Sequence, residues 1–271
     1  MSEGQWAVIL GASSGTGAAI ASQVARRPGL HVFGMHRGRY LEQAAEVERQ
    51  VLATGRRVLM MRGDASTPEG AARGADALLA AAGPRSLKLF VHSLASGSVG
   101  RFVSGGAGQL HPRQLARTFD AMAHSFIYWA QALKERELLA PSARLLGLTN
   151  PLTESLLHNC GAITAAKAAL EIYVRHLALE LGPLGHRVNL LKFGTVMTPA
   201  IRHVYAPDVL ARLEEAHRQM NPAGRLCTLE EVARFVSTLV GDDTEWFNGA
   251  TIDFTGGMTL RLLDIVLNER R

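Results

Sequence analysis

Three glycines near the start of the chain, at Gly11, Gly15 and Gly17, have the spacing G-x-x-x-G-x-G. A short apolar run precedes them and a helical pattern begins at the third, which predicts a strand, a tight turn and a helix N-terminus. Glycine lets the backbone approach a ligand closely, and the free N–H groups of a helix N-terminus attract phosphate. The spacing differs from the common G-x-G-x-x-G fingerprint. Its place at the first strand–helix junction nevertheless predicts a dinucleotide-binding turn rather than an ordinary tight turn.

Arginine follows the second predicted strand, in the sequence His36-Arg37-Gly38-Arg39. At this place a dinucleotide-binding chain carries an acidic side chain for the ribose 2′-hydroxyl or an arginine for a 2′-phosphate. No Asp or Glu occurs among these four residues, so Arg37 and Arg39 predict NADP(H) as the cofactor. The alternative is that both arginines are simply solvated.

The composition indicates one large α/β domain, because the 271 residues are 47% apolar and suit a well-buried core. The formal charge of +5 predicts either a solvated basic face or a surface for an acidic carrier protein. The chain has no dense basic run interleaved with aromatic residues, so we do not expect nucleic acid binding. It also has no apolar run that approaches the roughly 20 residues of a membrane helix. The two cysteines, Cys160 and Cys227, have no disulfide or metal-site spacing. We therefore expect no metal and a cytoplasmic location.

Apolar runs and helical patterns alternate along the chain, with short connections between them. This alternation predicts a doubly wound parallel sheet of about seven strands with helices on both faces, which is a Rossmann-type α/β fold. No repeat or linker divides residues 1–271, so we expect a single domain with a substrate lid at about 195–224. The predicted strands are 7–10, 30–35, 58–61, 87–91, 144–148, 187–191 and 250–254. The predicted helices include 17–27, 41–53, 112–139 and 160–181, and a capping box at 228–231 opens another.

Ligands of such a sheet bind at the carboxyl ends of its strands. That rule places the glycine turn, Asp64, the loop 92–95 and the segment 194–198 along one rim. Lys167 lies in the helix predicted over 160–181 and is one of only four lysines among the 29 basic residues.

These residues together resemble the short-chain dehydrogenase/reductase family over about residues 5–260. The matching motifs are Gly11-x-x-x-Gly15-x-Gly17, Asp64, Lys167, Arg187-Val188-Asn189, Gly194-x-x-x-Thr198 and Thr255-Gly256-Gly257. The resemblance implies that Asp64 contacts adenine, Lys167 binds the nicotinamide ribose and the segment 196–198 meets the carboxamide. It also implies a homotetramer. The predicted cofactor-binding residues are Gly11, Ser13, Ser14, Gly15, Thr16, Gly17, Arg37, Arg39, Asp64, Ala65, Ser93, Leu94, Ala95, Lys167, Val196 and Thr198.

Two stretches, 89–95 and 182–189, look most like the enoyl-acyl-carrier-protein reductase branch of that family. Leu148-Thr149 also stands at that branch's distance before Lys167, whereas the glycine turn resembles the ketoreductases. The resemblance implies NADPH-dependent reduction of an enoyl or keto thioester in fatty-acid or polyketide metabolism.

The family's proton-donating tyrosine is missing from this chain. It lies four residues before the lysine in most members and seven before it in enoyl reductases, and these positions hold Ile163 and Cys160. Both offsets return to one helix face, so a hydroxyl at either would share a substrate oxygen with Lys167. Asn150 stands where relatives place a serine or a second tyrosine, and Met122 stands where they place a helix asparagine.

Three interpretations follow from this departure. In the first, Lys167, the cofactor ribose and Asn150 stabilise the enolate formed by hydride addition. In the second, another group donates the proton, and the candidates are Cys160, His158, His124 and Tyr205. In the third, the chain binds NADP(H) with no or altered redox activity, as a partner or sensor module.

Lys167, Asn150 and Cys160 are the predicted catalytic residues. An apolar pattern in the lid predicts a lipophilic substrate, which is either a small molecule or a carrier-bound acyl group. The alternative is that the apolar face of the lid only covers the core. The apolar lid residues are Ile201, Val204, Tyr205, Val209, Leu210 and Leu213.

Overall fold

The computed structural model describes residues 4–106, 108–154, 156–204 and 206–261, apart from the side chains of 200, 203 and 204. Seven parallel strands form one sheet in the order β3-β2-β1-β4-β5-β6-β7. The strands are β1 (Gln5–Leu10), β2 (Leu30–His36), β3 (Val58–Arg62), β4 (Leu87–His92), β5 (Leu139–Thr149), β6 (Arg187–Phe193) and β7 (Thr251–Phe254).

Helices connect the strands and cover both faces of the sheet. They are α1 (Gly15–Val24), α2 (Leu41–Leu52), α3 (Pro68–Ala82), α4 (Pro112–Phe119), α5 (Ser125–Glu135), α6 (Gly161–Leu181), α7 (Pro199–Val204), α8 (Pro207–Met220) and α9 (Leu229–Thr238). The predicted capping box opens α9, where Thr228 and Glu231 bond each other's backbone N–H groups.

The strand order reverses beside β1, because the chain builds outward to β3 and then returns to place β4 against the other side of β1. This is the doubly wound topology that the sequence predicts. A crevice opens between the carboxyl ends of strands at such a reversal, and it is the usual ligand site of an open α/β sheet.

Side chains alternate between two hydrophobic layers along each strand, as β1 illustrates. Trp6, Val8 and Leu10 pack into the layer beneath α5 and α6, whereas Ala7 and Ile9 pack into the layer beneath α1 and α9. Because both faces are buried, the central strands read as continuous apolar runs rather than alternating ones.

The helix predicted over 112–139 is interrupted in the structure. A π-helical turn, Asp120–His124, separates α4 from α5, and the second helix ends at Glu135. The Ser125 hydroxyl donates to the carbonyl oxygen of Ala121 at 3.1 Å, and side chains that bond the ladder in this way accompany bends in helices. The periodicity of apolar residues continues across the turn, which is why the pattern alone predicts one helix.

Strand β5 begins five residues before its predicted start at 144. Leu139 pairs with Leu87, and then the register shifts so that Arg144 pairs with Leu89. The extra residues bulge out of the strand, and Ser142 takes a positive φ of 53°. Bulges of this kind leave no signature in hydrophobic periodicity.

Gly74 on α3 is held against the buried indole of Trp129, and an alanine Cβ would lie 2.3 Å from Trp129 Cη2. We expect Gly74→Ala to lower the free energy of unfolding by about 1–2 kcal/mol. The 2.3 Å contact with a buried indole puts the overpacking cost in the upper part of its usual range, at about 2–3 kcal/mol, and alanine regains about 1 kcal/mol of helix propensity. Urea unfolding measures this change. Gly106→Ala is the control, since nothing lies within 4 Å of its added methyl group. Equal stability of the two variants would contradict this account of the packing.

Candidate active site

Two cavities meet at the crevice. The outer cavity, of about 300 Å³, is lined by the glycine turn, by the turn after β2 and by the residues that follow β3. The inner cavity, of about 320 Å³, is lined by the ends of β5 and β6, by the start of α6 and by the segment that carries α7 and α8. The residues common to both walls are Thr16, Ser93, Leu94, Ala95, Gly97 and Thr198. A ligand that spans the two cavities therefore passes over these six residues.

The glycine turn has backbone geometry that a side chain would obstruct. Gly11 has a φ of +77°, and a Cβ there would lie 2.6 Å from the carbonyl oxygen of Ser93. A Cβ on Gly17 would lie 2.3 Å from the carbonyl oxygen of Gly11. Gly17 is not among the residues that line the outer cavity. Its lack of a side chain instead lets α1 approach the turn closely. The N-terminus of α1 opens into this cradle with Ser14 at its N-cap, so these residues fit a dinucleotide pyrophosphate.

Two arginines line the outer cavity at the turn after β2. Arg37 and Arg39 lie on its wall, and Arg37 Nη2 donates to Ser96 Oγ at 3.1 Å across the crevice. Arg62 lies beneath Gly38, where an added Cβ would meet Arg62 Nε at 2.7 Å. The motif analysis missed both Arg62 and Ser96. The register of the sheet brings Arg62 beside His36, so a strand alignment is the signal that finds it.

Asp64 lies on the wall of the outer cavity at the end of the turn after β3. Burial favours its neutral form, but the hydrogen bonds from Ser66 and the nearby Arg37 guanidinium together lower the pKa of Asp64 below its usual value. Its Oδ1 accepts from Ser66 N at 3.0 Å and from Ser66 Oγ at 2.6 Å. The next residue, Ala65, is fixed because its carbonyl oxygen accepts from the indole of Trp129 at 3.0 Å. Asp64 is thus an ionised acceptor at a fixed place.

Lys167 brings a buried ammonium group to the inner cavity. It is 5% exposed, and its Nζ donates to the carbonyl oxygen of Leu148 at 2.6 Å. Burial lowers the pKa of Lys167 to about 8, so the group is mostly cationic at pH 7. A cation in a water-poor site stabilises a developing oxyanion far better than it would in water.

His92 lies in the core at the end of β4 and supports the same region. Burial, and next the charge of Lys167, lower the pKa of His92 to about 3, so its imidazole is neutral. Its Nε2 lies 2.8 Å from Ser125 Oγ, whose hydroxyl donates to the carbonyl oxygen of Ala121. His92 therefore connects β4 to the π-helical turn, and that turn places Met122 on the wall of the inner cavity.

The other two predicted catalytic residues line the inner cavity with Lys167. Cys160 is buried at the N-cap of α6, and Asn150 follows β5. The side-chain oxygen of Asn150 accepts from Leu152 N at 3.2 Å, which fixes the carboxamide on a short turn. Ile163 is on the same wall. The cavity therefore has an apolar side chain at the helix position where the family resemblance implies a tyrosine.

An ion pair anchors the loop between β5 and α6. The Lys192 ammonium on β6 pairs with Glu154 and lies 3.0 Å from Asp253 Oδ2 on β7. Lys192 is largely buried, so the contact restrains the loop that carries Asn150 and Cys160. Lys192 is also a lysine that the motif analysis left unassigned.

The remaining proton-donor candidates lie elsewhere or outside the description. His158 lines a separate cavity beside Phe102 and Leu156. His124 Nδ1 lies 3.0 Å from the hydroxyl of Tyr173. Neither histidine is on the described wall of the inner cavity, and Tyr205 lies outside the residues that the structure describes.

The lid segment forms an apolar side of the inner cavity. Ile201 and Leu213 line it as predicted, and Val209 and Leu210 are not among its lining residues. The side chains of Val204 and Tyr205 fall outside the described part of the chain. Met220, His217 and Met258 complete this side, and motif reasoning missed all three. Whether the segment moves as a lid stays a prediction.

Comparison with known proteins assigns the family. The family described as enoyl-(acyl carrier protein) reductase matches residues 11–259 of the chain. The chain belongs to the short-chain dehydrogenase/reductase family, near its enoyl reductase branch. This confirms the family inferred from the motifs, and with it the oxidoreductase class.

The relatives include a CoA-linked reductase and an acyl-carrier-protein-linked reductase. The chain is 26% identical over 258 residues to 1-cyclohexenylcarbonyl-CoA reductase of Streptomyces collinus, covering 94% of this chain and 87% of that protein. It is 30% identical over 146 residues to an NADH-dependent enoyl-acyl-carrier-protein reductase of Escherichia coli, covering 54% of this chain and 53% of that protein. A solved short-chain dehydrogenase of Burkholderia cenocepacia, in complex with NADP, is 25% identical with a TM-score of 0.78 and covers 95% of this chain and 98% of that one.

Among the described residues, no group of His, Cys, Asp and Glu side chains could hold a metal ion. Within the same part of the chain, no helix is long and apolar enough to cross a membrane.

Proposed function

We propose that the protein is an NADPH-dependent reductase of an enoyl thioester whose active site works without a tyrosine acid. The observation that carries the proposal is the buried ammonium group of Lys167, placed in an apolar cavity that opens directly into the dinucleotide cradle. Reduction of a keto group in the same type of thioester would use the same arrangement.

The bound NADPH would supply a hydride to the β-carbon of the conjugated double bond. The pair of electrons of that double bond then moves toward the thioester carbonyl, and its oxygen becomes an enolate oxygen. Lys167 holds a positive charge beside this oxygen, and the Asn150 amide adds a hydrogen-bond donor. A proton that comes finally from water completes the saturated product at the α-carbon.

Arg37, Arg39 and Arg62 support NADPH as the reductant rather than NADH. Arg37 and Arg39 line the outer cavity and Arg62 lies beneath Gly38 beside it, and arginine binds phosphate with two parallel hydrogen bonds. The solved relative in complex with NADP supports the same choice, whereas the relative in Escherichia coli is named as an NADH enzyme.

The walls of the inner cavity favour a compact apolar acyl group. Many side chains that line it are aliphatic or thioether groups, among them Met122, Leu157, Ile163, Leu213 and Met220. A relative that acts on a cyclic enoyl-CoA thioester fits this preference. We propose a homotetramer in the cytoplasm, with an acidic acyl carrier protein as the donor of the substrate. The formal charge of +5 favours such an acidic partner.

A substrate comparison tests the proposal. Oxidation of NADPH is followed by the loss of its near-ultraviolet absorbance with a trans-2-enoyl thioester, a diketide ketone and a quinone in parallel. We expect saturable turnover with the enoyl thioester and less with the other two. NADPH binding without oxidation in the presence of any of them would contradict the proposal.

A second candidate function is an NADP(H)-binding partner or sensor module. The observation that favours it is the pair of Ile163 and Cys160 at the positions of the family's tyrosines. Binding of NADPH with no turnover in the same comparison is the result that this candidate predicts.

We expect Cys160→Ala to lower kcat/KM for the enoyl thioester by less than about tenfold, because a thiol is a weak hydrogen-bond donor whose ordinary pKa is about 8.5. Steady-state kinetics over a range of pH measure this effect, with Cys160→Ser as the variant that keeps a donor. A loss of about 10²-fold with an altered pH–rate profile would instead identify Cys160 as the acid.

We expect the reduction rate to fall as the pH rises through about 8, because the lowered pKa of Lys167 removes its charge there rather than near 10.5. Unfolding does not cause this loss. Between those two pH values the unfolded chain binds more protons at Lys167 than the folded chain, so this group makes the folded state more stable as the pH rises. The pH–rate profile checks the predicted fall in rate with rising pH, and thermal unfolding over the same pH range checks the predicted rise in stability. A rate that stays constant well above pH 8 would contradict a catalytic role for the ammonium form.

A further inference from the structure

Helix α8 presents one face to the inner cavity. Leu213, His217 and Met220 line the cavity, and their spacing of four and three residues places them on the same side of the helix. All three are half-buried, whereas the neighbouring Glu214 and Arg218 are exposed. Leu213 and Met220 are apolar. His217 is therefore the polar side chain that α8 contributes to this wall.

The imidazole of His217 has an unmet hydrogen bond. Its Nδ1 is buried and has no partner among the described residues. Burial lowers the pKa of His217 below its ordinary value, so the ring is neutral near pH 7 and carries one N–H donor. Because the protein encloses Nδ1, a ligand in the cavity meets the other ring nitrogen, Nε2, which has no hydrogen-bond partner among the described residues.

The chemistry of the remaining wall makes this donor useful. Lys167 supplies charge, but Ile163 and Cys160 occupy the positions of the family's tyrosines. Among the described residues that line the inner cavity, His217 is the one imidazole. A neutral imidazole N–H is an effective partner for a carbonyl oxygen that gains negative charge, as in the isomerases that use one.

We propose that His217 donates a hydrogen bond to the carbonyl oxygen of the bound thioester and so takes the place of the missing tyrosine hydroxyl. The inference rests on the proposed function, since it concerns the oxygen of that substrate. Lys167 balances the charge of the oxygen and His217 orients it. The segment that covers the cavity therefore also completes the catalytic site.

Two substitutions separate this role from simple packing. His217→Phe keeps a flat ring without a donor, and we expect kcat/KM for the enoyl thioester to fall by about 10²–10³-fold, as for the loss of one oxyanion donor. His217→Gln keeps an N–H donor, and we expect it to remain within about tenfold of the wild type. Arg218→Gln, on the exposed side of α8, is the matched control and should leave the rate unchanged.

NADPH affinity, measured by fluorescence titration, should stay the same in all three variants. A Phe variant as active as the wild type would overturn the proposal. So would a loss of activity that a parallel loss of NADPH affinity explains.

A binding readout keeps the contact testable without turnover. Protein labelled with nitrogen-15 in its histidines is titrated with butyryl-CoA in the presence of NADP⁺, and the His217→Gln spectrum identifies the His217 resonances. We expect those resonances to shift, while the resonances of the exposed His176 do not. Unshifted His217 resonances at saturating ligand would overturn the contact.

The two proposals fail in different ways. Shifted His217 resonances in a wild type that never oxidises NADPH would support the contact and reject the reductase. An active wild type with unshifted His217 resonances would reject the contact alone.

Discussion

Lys167→Met should lower kcat/KM for an enoyl thioester by about 10²–10⁴-fold, because the inner cavity loses the positive charge that stabilises the enolate oxygen. The methionine side chain fills a similar volume, and it removes the cost of burying an ammonium group that is 5% exposed. The Leu148 carbonyl oxygen loses its donor in exchange. We therefore expect a folded protein with unchanged cooperativity of unfolding.

Steady-state kinetics and thermal unfolding measure the two effects separately. Lys134→Met is the matched control, since Lys134 is exposed on α5 and away from both cavities. A Lys167→Met variant that keeps full activity would remove this residue from the mechanism. The effect on NADPH affinity is a separate readout, because the family resemblance also implies a contact between Lys167 and the nicotinamide ribose.

Arg37→Glu should reverse the cofactor preference. The guanidinium is lost as a phosphate partner, and charge-assisted hydrogen bonds of this kind contribute about 1.5–3 kcal/mol each, or roughly 10–150-fold in the dissociation constant for NADPH. The new carboxylate also repels a 2′-phosphate and accepts from the 2′-hydroxyl of NADH. We expect tighter NADH binding together with weaker NADPH binding.

Fluorescence titration of both nucleotides against wild type and variant measures this ratio. Arg73→Glu, an exposed charge reversal on α3, controls for the change in net charge. An unchanged ratio would show that Arg37 is a solvated arginine whose contact is limited to Ser96. The specificity would then have to come from Arg39 or Arg62.

The local features of the site were predictable from the sequence. The glycine turn follows from the rule that only glycine accepts a positive φ beside a neighbouring carbonyl group, and Gly11 obeys it. The sheet follows from apolar runs buried on both faces, as in β1. Arg37 follows directly from the residues at the end of β2. Each of these features depends on residues adjacent in the chain.

The features that were missed depend on residues far apart in the chain. Arg62 lies beside His36 and beneath Gly38 because β3 pairs with β2 in one register, which no local pattern fixes. His217 reaches the inner cavity because α8 packs over it with one face, although α8 has no fully buried residue. The π-helical turn that places Met122 on the wall leaves the apolar periodicity intact. Each case is decided by tertiary packing.

Transfer of deuterium tests the central claim most directly. NADPH that carries deuterium at the reactive carbon of its nicotinamide is incubated with the protein and a trans-2-enoyl thioester, and the acyl product is analysed by mass spectrometry. We predict a saturated thioester with deuterium at the β-carbon, formed in amounts that match the NADPH consumed. Bound NADPH that keeps all of its deuterium while the enoyl thioester stays unchanged would contradict the claim that this chain is a reductase.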